Sequence, residues 1–260
     1  MNHSEKRLYL INRLLDENTQ YNHLQIPDSE REQTALLRGL MNLRAPQSAD
    51  REFINIQNEY LQEEIRKKGI TDIDDLSPVR DGDYQIYIWQ GDITTLKCDA
   101  IVNAANSGMT GCYMPNHTCI DNCIHTFSGI QLRLKCAEII SAQGCEEPTG
   151  RAKITPAYNL PCRYVLHTVG PIISDRVTDE EEKLLTSCYR SCLDLAEKYQ
   201  LESVAFCCIS TGVFGYPNDQ AAKTAVATVS DYLNNSNYVK RVIFNVFKDI
   251  DKQLYTELLG

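Results

Sequence analysis

The first 97 residues contain no cysteine, whereas the rest of the chain carries 11, all between Cys98 and Cys208. A secreted disulfide framework uses an even number spread through a smaller chain, so these read as reduced thiols in a cytoplasmic protein, some of them able to hold a metal. Long apolar runs are missing as well. The longest, Val204 to Ile209, has six residues, far below a membrane span, and the polar start Met1 to Arg7 has no apolar segment behind it as a signal peptide would. Positive charge is scarce: 26 Lys and Arg stand against 35 Asp and Glu, a net charge of -9. That balance argues against direct nucleic-acid binding through bulk electrostatics, so a nucleotide would have to be held in a local pocket. Internal repeats and low-complexity tracts are absent. What the 260 residues do have is 43% hydrophobic content, enough for a core that needs no disulfides.

In the first 70 residues the apolar positions recur at helical spacing: Leu8, Ile11 and Leu15, then Leu36, Leu37, Leu40 and Met41, then Phe53, Ile56 and Tyr60. Three helices are expected, with Asp28 and Asp50 at cap positions, Pro46 between the second and third, and Gly69 closing the third behind Arg66, Lys67 and Lys68. The acidic, turn-rich segment Thr71 to Asp83 reads as a linker, which divides the chain into a helical N-terminal extension (1–75) and a second domain (76–260). The extension's apolar stripes must bury a face, by packing on the second domain or by meeting a protein substrate.

From Tyr84 onward the period changes. Gln85 to Trp89 is strand-like, followed by Ala100 to Val102, Tyr164 to Leu166, Val204 to Ile209 and Val242 to Val246. Between these runs, Ile130 to Ala142, Glu181 to Tyr199 and Asp219 to Leu233 are helical in spacing and length. The alternation predicts an α/β fold, a mostly parallel sheet covered by helices on both faces. Cys188, Cys192, Cys207 and Cys208 fall in its apolar segments and need only a packing role. Ligands of such sheets sit beyond the carboxyl ends of the strands, which directs attention to the loops there.

Three of those loops stand out: Gln90-Gly91-Asp92-Ile93-Thr94, Asn103-Ala104-Ala105-Asn106, and Ser210-Thr211-Gly212-Val213-Phe214-Gly215-Tyr216-Pro217. The last combines hydroxyls, two glycines and a helix start at Pro217, a neutral phosphate cradle of backbone N–H groups, although a plain tight turn fits the same pattern.

Taken with Thr149 to Thr155 and Tyr164 to Pro171, these segments resemble, in order and wording, the macrodomain family and its hydrolase branch, from about Asp83 to the C-terminus. The resemblance implies a three-layer α/β/α domain with a mixed, mostly parallel central sheet, and an ADP-ribose ligand. Asp92 would accept a hydrogen bond from the adenine amine, with Ile93 beside it in the binding loop, and Phe247 would stack on the base. Asn103 and Asn106 would face the distal ribose, and Ser210, Thr211, Gly212, Val213, Phe214, Gly215 and Tyr216 would hold the diphosphate.

One departure is informative. Where common macrodomains carry a glycine run, this chain has Gly111-Cys112-Tyr113-Met114-Pro115-Asn116-His117-Thr118-Cys119, ahead of Ile120-Asp121-Asn122-Cys123-Ile124-His125. The insertion is similar to that of a zinc-containing subgroup of MacroD-type protein-ADP-ribose hydrolases, whose members also carry a helical extension. Cys112, His117 and Cys119 offer two thiolates and an imidazole, which suit tetrahedral Zn2+, and three protein ligands leave a fourth position open, as catalytic sites do. Cys123 or His125 could replace a member or close the shell. Asp121 is the expected general base, with Asn106 beside it, and is also placed to cap the helix that starts there. His125 is expected to bond along that helix surface, and His167, in a strand, to be a satisfied core residue.

Two functions share these contacts: a hydrolase that removes mono-ADP-ribose from protein side chains, and a reader that holds ADP-ribose around a structural zinc. A metal at the ribose end favours hydrolysis, with zinc either a Lewis acid or an activator of bound water. A zinc deaminase is excluded, because no His-x-Glu followed by Pro-Cys-x-x-Cys occurs. The resemblance further implies an ADP-ribosylated protein substrate, joined through a carboxylate ester and released as free ADP-ribose. It points to a lipoyl-carrying protein modified by a sirtuin-like ADP-ribosyltransferase.

Overall fold

The computed structural model describes residues 1–260 and begins with three helices, α1 (His3–Glu17), α2 (Glu30–Leu43) and α3 (Arg51–Lys68). Asn2 caps α1 in a capping box with Glu5, and Asp50 caps α3 by accepting from the Phe53 amide at 2.9 Å. At α2 the cap is Ser29, whose hydroxyl accepts from the Glu32 amide, so the expected cap at Asp28 stands one residue too early. Arg66, Lys67 and Lys68 lie in the last turn of α3, where cations offset the helix dipole, and Gly69 ends it at φ 88°. The three apolar stripes close on one another: Leu10, Ile11, Leu37, Phe53 and Leu61 are buried in a core that also takes in Ile130 from the second part of the chain.

That second part alternates strands and helices: β1 (Thr71–Asp72), β2 (Gln85–Gln90), β3 (Leu96–Lys97), β4 (Ala100–Ala105), α4 (Ile120–Ser128), α5 (Ile130–Gln143), β5 (Ala152–Pro156), β6 (Tyr164–Val169), α6 (Asp179–Lys198), β7 (Ser203–Phe206), α7 (Asn218–Leu233), β8 (Arg241–Val246) and α8 (Asp249–Leu259). The segment expected as a linker is tied down instead. Its first residues form β1, which pairs with β3, and Ile73 is buried in the main core.

Six strands form the central sheet in the order β2-β8-β7-β4-β6-β5, parallel throughout except for the antiparallel β5–β6 pair at one edge. The chain is thus the expected mixed, mostly parallel α/β fold with a helical extension. Helices α6, α7 and α8 pack in series over one face, α4 and α5 cover the other, and α2 and α3 lie outside α4 as a further layer. No helix is long and apolar enough to cross a membrane. The fourth expected strand is shorter than its apolar run: pairing stops at Phe206, and Cys207 to Ile209 leave the sheet toward the Ser210 loop. Parallel pairing brings the ends of β2, β4, β6, β7 and β8 to one rim, where Gln90 pairs with Val246 and Asn103 with His167.

Because Ile130 is the second part's contribution to the extension's core, Ile130→Ala should destabilise the whole chain by about 2–5 kcal/mol, read by chemical denaturation. An unchanged midpoint would show that the extension is held without this contact.

Candidate active site

Asp121 stands in the first turn of α4 with its side chain 7% exposed. Its Oδ1 accepts from Asn103 Nδ2 at 2.8 Å and its Oδ2 from Asn106 Nδ2 at 3.3 Å. Burial pushes the carboxyl up to about 6, while Asn103, Arg133 and Asn106 pull the other way. The helix cap is not Asp121 but Cys119, whose sulfur accepts from the Asn122 amide at 3.4 Å. Asn103 is itself fully buried, bonded to Asp121 and to His167 Nδ1 at 3.1 Å, so it supports the carboxylate from behind and has no surface to offer a ribose. Asn106 is the less buried partner of the pair, half-buried, and also donates to the Gly111 carbonyl at 3.1 Å.

Through Gly111 the site passes into the cysteine loop. Gly111 has φ 84°, and a Cβ there would lie 2.7 Å from the His125 ring, so only glycine fits. Beyond it Cys112, His117 and Cys119 bring their ligand atoms within 4.8 Å of one another. Cys112 Sγ lies 3.6 Å from His117 Nδ1. Tetrahedral zinc with Zn–S near 2.3 Å and Zn–N near 2.05 Å separates such ligands by roughly 3.5 Å, so the donor set fits the metal. Burial, together with the neighbouring Cys112, pushes the Cys119 thiol up to about 12.

Neither alternative ligand joins this group. Cys123 faces Arg38, with Nη2 3.5 Å from its sulfur, and His125 turns into the core beside Cys136 and His167. His125 Nε2 is 3.5 Å from Asp121 Oδ1, beyond hydrogen-bonding distance, so the bond expected along the helix is not made and both ring nitrogens lack a partner. Burial keeps that imidazole neutral. His167 is the satisfied core residue expected, held by Asn103 and by Thr155 Oγ1 at 2.9 Å.

At the far side of the rim, Asp92 follows β2 and Phe247 follows β8, made neighbours by the Gln90–Val246 pairing. Phe247 is 78% exposed, an open aromatic face. The Asp92 side chain is 40% exposed. Its Oδ1 accepts from the Thr94 amide at 3.0 Å and hydroxyl at 2.6 Å, and its Oδ2 from Lys68 Nζ at 2.8 Å. Burial would raise the carboxyl, but Lys68 and the Thr94 hydroxyl outweigh it and hold Asp92 below the usual carboxylate range. The Ile93 side chain is in the core, leaving only its backbone toward the rim.

Between these ends lies the loop after β7. Ser210 (φ 65°) and Tyr216 are buried, and Tyr216 N–H donates to the Ser210 carbonyl at 3.0 Å, which closes the loop on itself. Thr211 donates its hydroxyl to the Cys208 carbonyl, and Gly215 (φ 72°) donates its amide to Gly212. The amides of Gly212, Val213 and Phe214 have no protein partner. Three consecutive unpaired amides make an anion cradle that needs no charged side chain.

Lys68, Arg38, Asn42 and Arg133 also reach the site, and no local signal in the sequence marked them for it. Each bonds a residue at least 24 positions away across the boundary between the extension and the second part of the chain, a pairing that only the packing of the extension creates.

The rim of an open α/β sheet with an anion cradle at its centre is a nucleotide-binding class of site. The chain belongs to the macrodomain family. The family model described as Macro domain matches residues 102–225. The chain is 58% identical over 263 residues to the protein-ADP-ribose hydrolase of Treponema medium, covering 100% of both chains. It is 50% identical over 250 residues to the protein-ADP-ribose hydrolase of Staphylococcus aureus strain MSSA476, covering 96% of this chain and 93% of that one. Among solved structures, the Trypanosoma brucei macrodomain in complex with ADP-ribose superposes with a TM-score of 0.67 at 30% identity, over 85% of this chain and 95% of that one. A variant of the Oceanobacillus iheyensis macrodomain with ADPR gives 0.63 at 37% identity, over 69% and 94%.

Removing the Lys68 ammonium takes away a bond and a charge that favour the ionised form of Asp92, so Lys68→Met should move the Asp92 titration to higher pH. Carboxyl-carbon NMR reads the shift directly, and an unmoved midpoint would mean that Thr94 alone holds the carboxylate.

Proposed function

We propose that this protein is a zinc-dependent hydrolase that removes mono-ADP-ribose from modified protein side chains. The observation that carries the reading is the order of groups along the sheet rim. An open aromatic and a carboxylate stand at β2 and β8, the amide cradle follows at β7, and a buried carboxylate beside three metal-type ligands comes at β4. Adenine, diphosphate and distal ribose follow one another in the same order along ADP-ribose. From β2 to β4 is three strand spacings, about 14 Å, so one extended ligand spans them. The names of the two bacterial relatives support the same activity.

In this reading Asp92 accepts from the adenine amine, Phe247 stacks on the base, and the amides of Gly212, Val213 and Phe214 hold the diphosphate. Cys112, His117 and Cys119 hold zinc, which when bound supplies Lewis acidity and a lowered pKa for water at the ribose end. Asn106 orients Asp121 with one Nδ2 proton and gives the other to the Gly111 carbonyl, which leaves its Oδ1 to accept from a ribose hydroxyl. Asp121 takes a proton from water or from a ribose hydroxyl, and a carboxyl near 6 is mostly ionised at neutral pH yet basic enough to do so. The elements of water are divided between the side-chain acid and free ADP-ribose. The linkage cleaved is a carboxylate ester, and a lipoyl-carrying protein modified by a sirtuin-like ADP-ribosyltransferase is the first substrate to try.

Asp121→Asn should lower turnover at least 100-fold while ADP-ribose affinity changes far less, because general-base catalysis is worth about 100- to 10,000-fold and the nucleotide contacts lie elsewhere. Cys112→Ala should lower zinc content, measured by elemental analysis of the purified protein. The decisive comparison is release from mono-ADP-ribosylated protein against binding of free ADP-ribose on the same preparations. Zinc-loaded protein that binds ADP-ribose but releases none from carboxylate-, serine- or arginine-linked substrates would be a reader.

A further inference from the structure

The cysteine loop does little to hold its own shape. A single backbone hydrogen bond spans Gly111 to Thr118, from His117 N–H to the Met114 carbonyl at 3.3 Å. Asn116 within it has φ 57°, a left-handed conformation that asparagine tolerates better than most residues. Side chains from outside fix it instead, and most of them lead back to one helix. Arg38 of α2 donates from Nη2 to the His117 carbonyl at 2.7 Å and to Asn122 Oδ1 at 2.9 Å. Asn122, fully buried, donates in turn to the Cys112 carbonyl at 3.3 Å and the Met114 carbonyl at 3.0 Å. Asn42, one turn further along α2, accepts from the Asn116 amide at 3.0 Å and donates to Thr126 Oγ1 at 2.9 Å. Gly39 lies between them, and a Cβ there would come within 3.3 Å of Asn116 Nδ2 and 3.6 Å of Pro115, so helix and loop are in direct contact.

We infer that α2 is the outer half of the metal centre: Arg38, acting through Asn122, and Asn42 are positioning residues that keep Cys112, His117 and Cys119 converged. The inference rests on reading those three as zinc ligands. Arg38 touches one carbonyl of the loop, that of His117, and not the ligand atoms of Cys112, His117 or Cys119, so its part is to orient. Partners of this kind commonly set metal affinity by 10- to 100-fold. The extension is then a component of the centre, and no contact with a protein substrate is needed to account for it.

The test uses the full-length protein and measures zinc affinity by competition with a chromogenic chelator, with the absorption spectrum of the cobalt(II)-loaded form as a second readout of ligand geometry. Arg38→Met should weaken zinc binding about 10- to 100-fold and broaden or shift the cobalt bands. Its ADP-ribose affinity should stay near the wild-type value. Arg38→Lys, which keeps the charge and can reach fewer acceptors, should fall between, and it carries the test if Arg38→Met folds poorly. Arg13→Ala, which removes an ion pair with Asp50 elsewhere in the extension, should leave zinc affinity unchanged. Wild-type zinc affinity in Arg38→Met would overturn this inference alone. A wild-type protein that takes up no zinc would overturn the metal reading as well.

Discussion

A carboxylate buried at the start of a helix is the constraint around which this site is built. Taking an ionised group out of water is costly unless donors meet it. For Asp121 the donors come from two directions, Asn103 within β4 and Asn106 just past its end, while the amino end of α4 adds a favourable field. Asn103 is held in turn by His167, its register partner on β6, so the pairing of two central strands fixes the angle at which the carboxylate is gripped. A slip of one residue would turn Asn103 to the opposite face.

The same network reaches outward. Asn106 links Asp121 to Gly111, and from Gly111 the chain enters the cysteine loop, so carboxylate and loop share one hydrogen-bonding side chain. Arg133 of α5 joins the loop to the extension. Its Nη1 gathers the carbonyls of Met41, Asn42 and Arg44 at the end of α2, its Nη2 approaches the Cys112 carbonyl at 3.4 Å, and its charge also favours the ionised form of Asp121. A buried cation against the last carbonyls of a helix is favourable through the helix dipole. The extension therefore joins the domain through directed polar bonds as well as through the apolar contact at Ile130.

Much of this was legible in the sequence because the signals are periodic or local. Helical stripes marked α1 to α3, apolar runs marked the parallel strands, and the loops beyond them carried Asp92, Asn106 and the glycines of the anion cradle. The trio Cys112, His117 and Cys119 was legible because a single short loop supplies it. What escaped was either weakly patterned or non-local. β5 is an edge strand with Lys153 and Thr155 among its five residues, too mixed to read as a strand, and α8 follows β8 too closely to stand apart from it. Asp28 stands one residue before the actual cap, Ser29, and Asp121 two residues after Cys119, differences that only the backbone geometry decides. Asn103 looked like a ligand contact because its side chain is polar and near a strand end, yet the register turns it inward. Lys68 was legible only as a helix-end cation and Arg38 not at all, because their partners in the site are remote in sequence.

The central claim is that Asp121 lies between a metal held by the cysteine loop and the distal ribose of a bound nucleotide. A crystal structure of the zinc-loaded protein with ADP-ribose, phased to show anomalous scattering at the zinc edge, tests it most directly. One strong peak is expected, bonded to Cys112, His117 and Cys119, with the distal ribose against Asp121 and the diphosphate on the amides of Gly212 to Phe214. A peak elsewhere, such as at His125, Cys136 and His167, or a ribose lying away from Asp121, would contradict it.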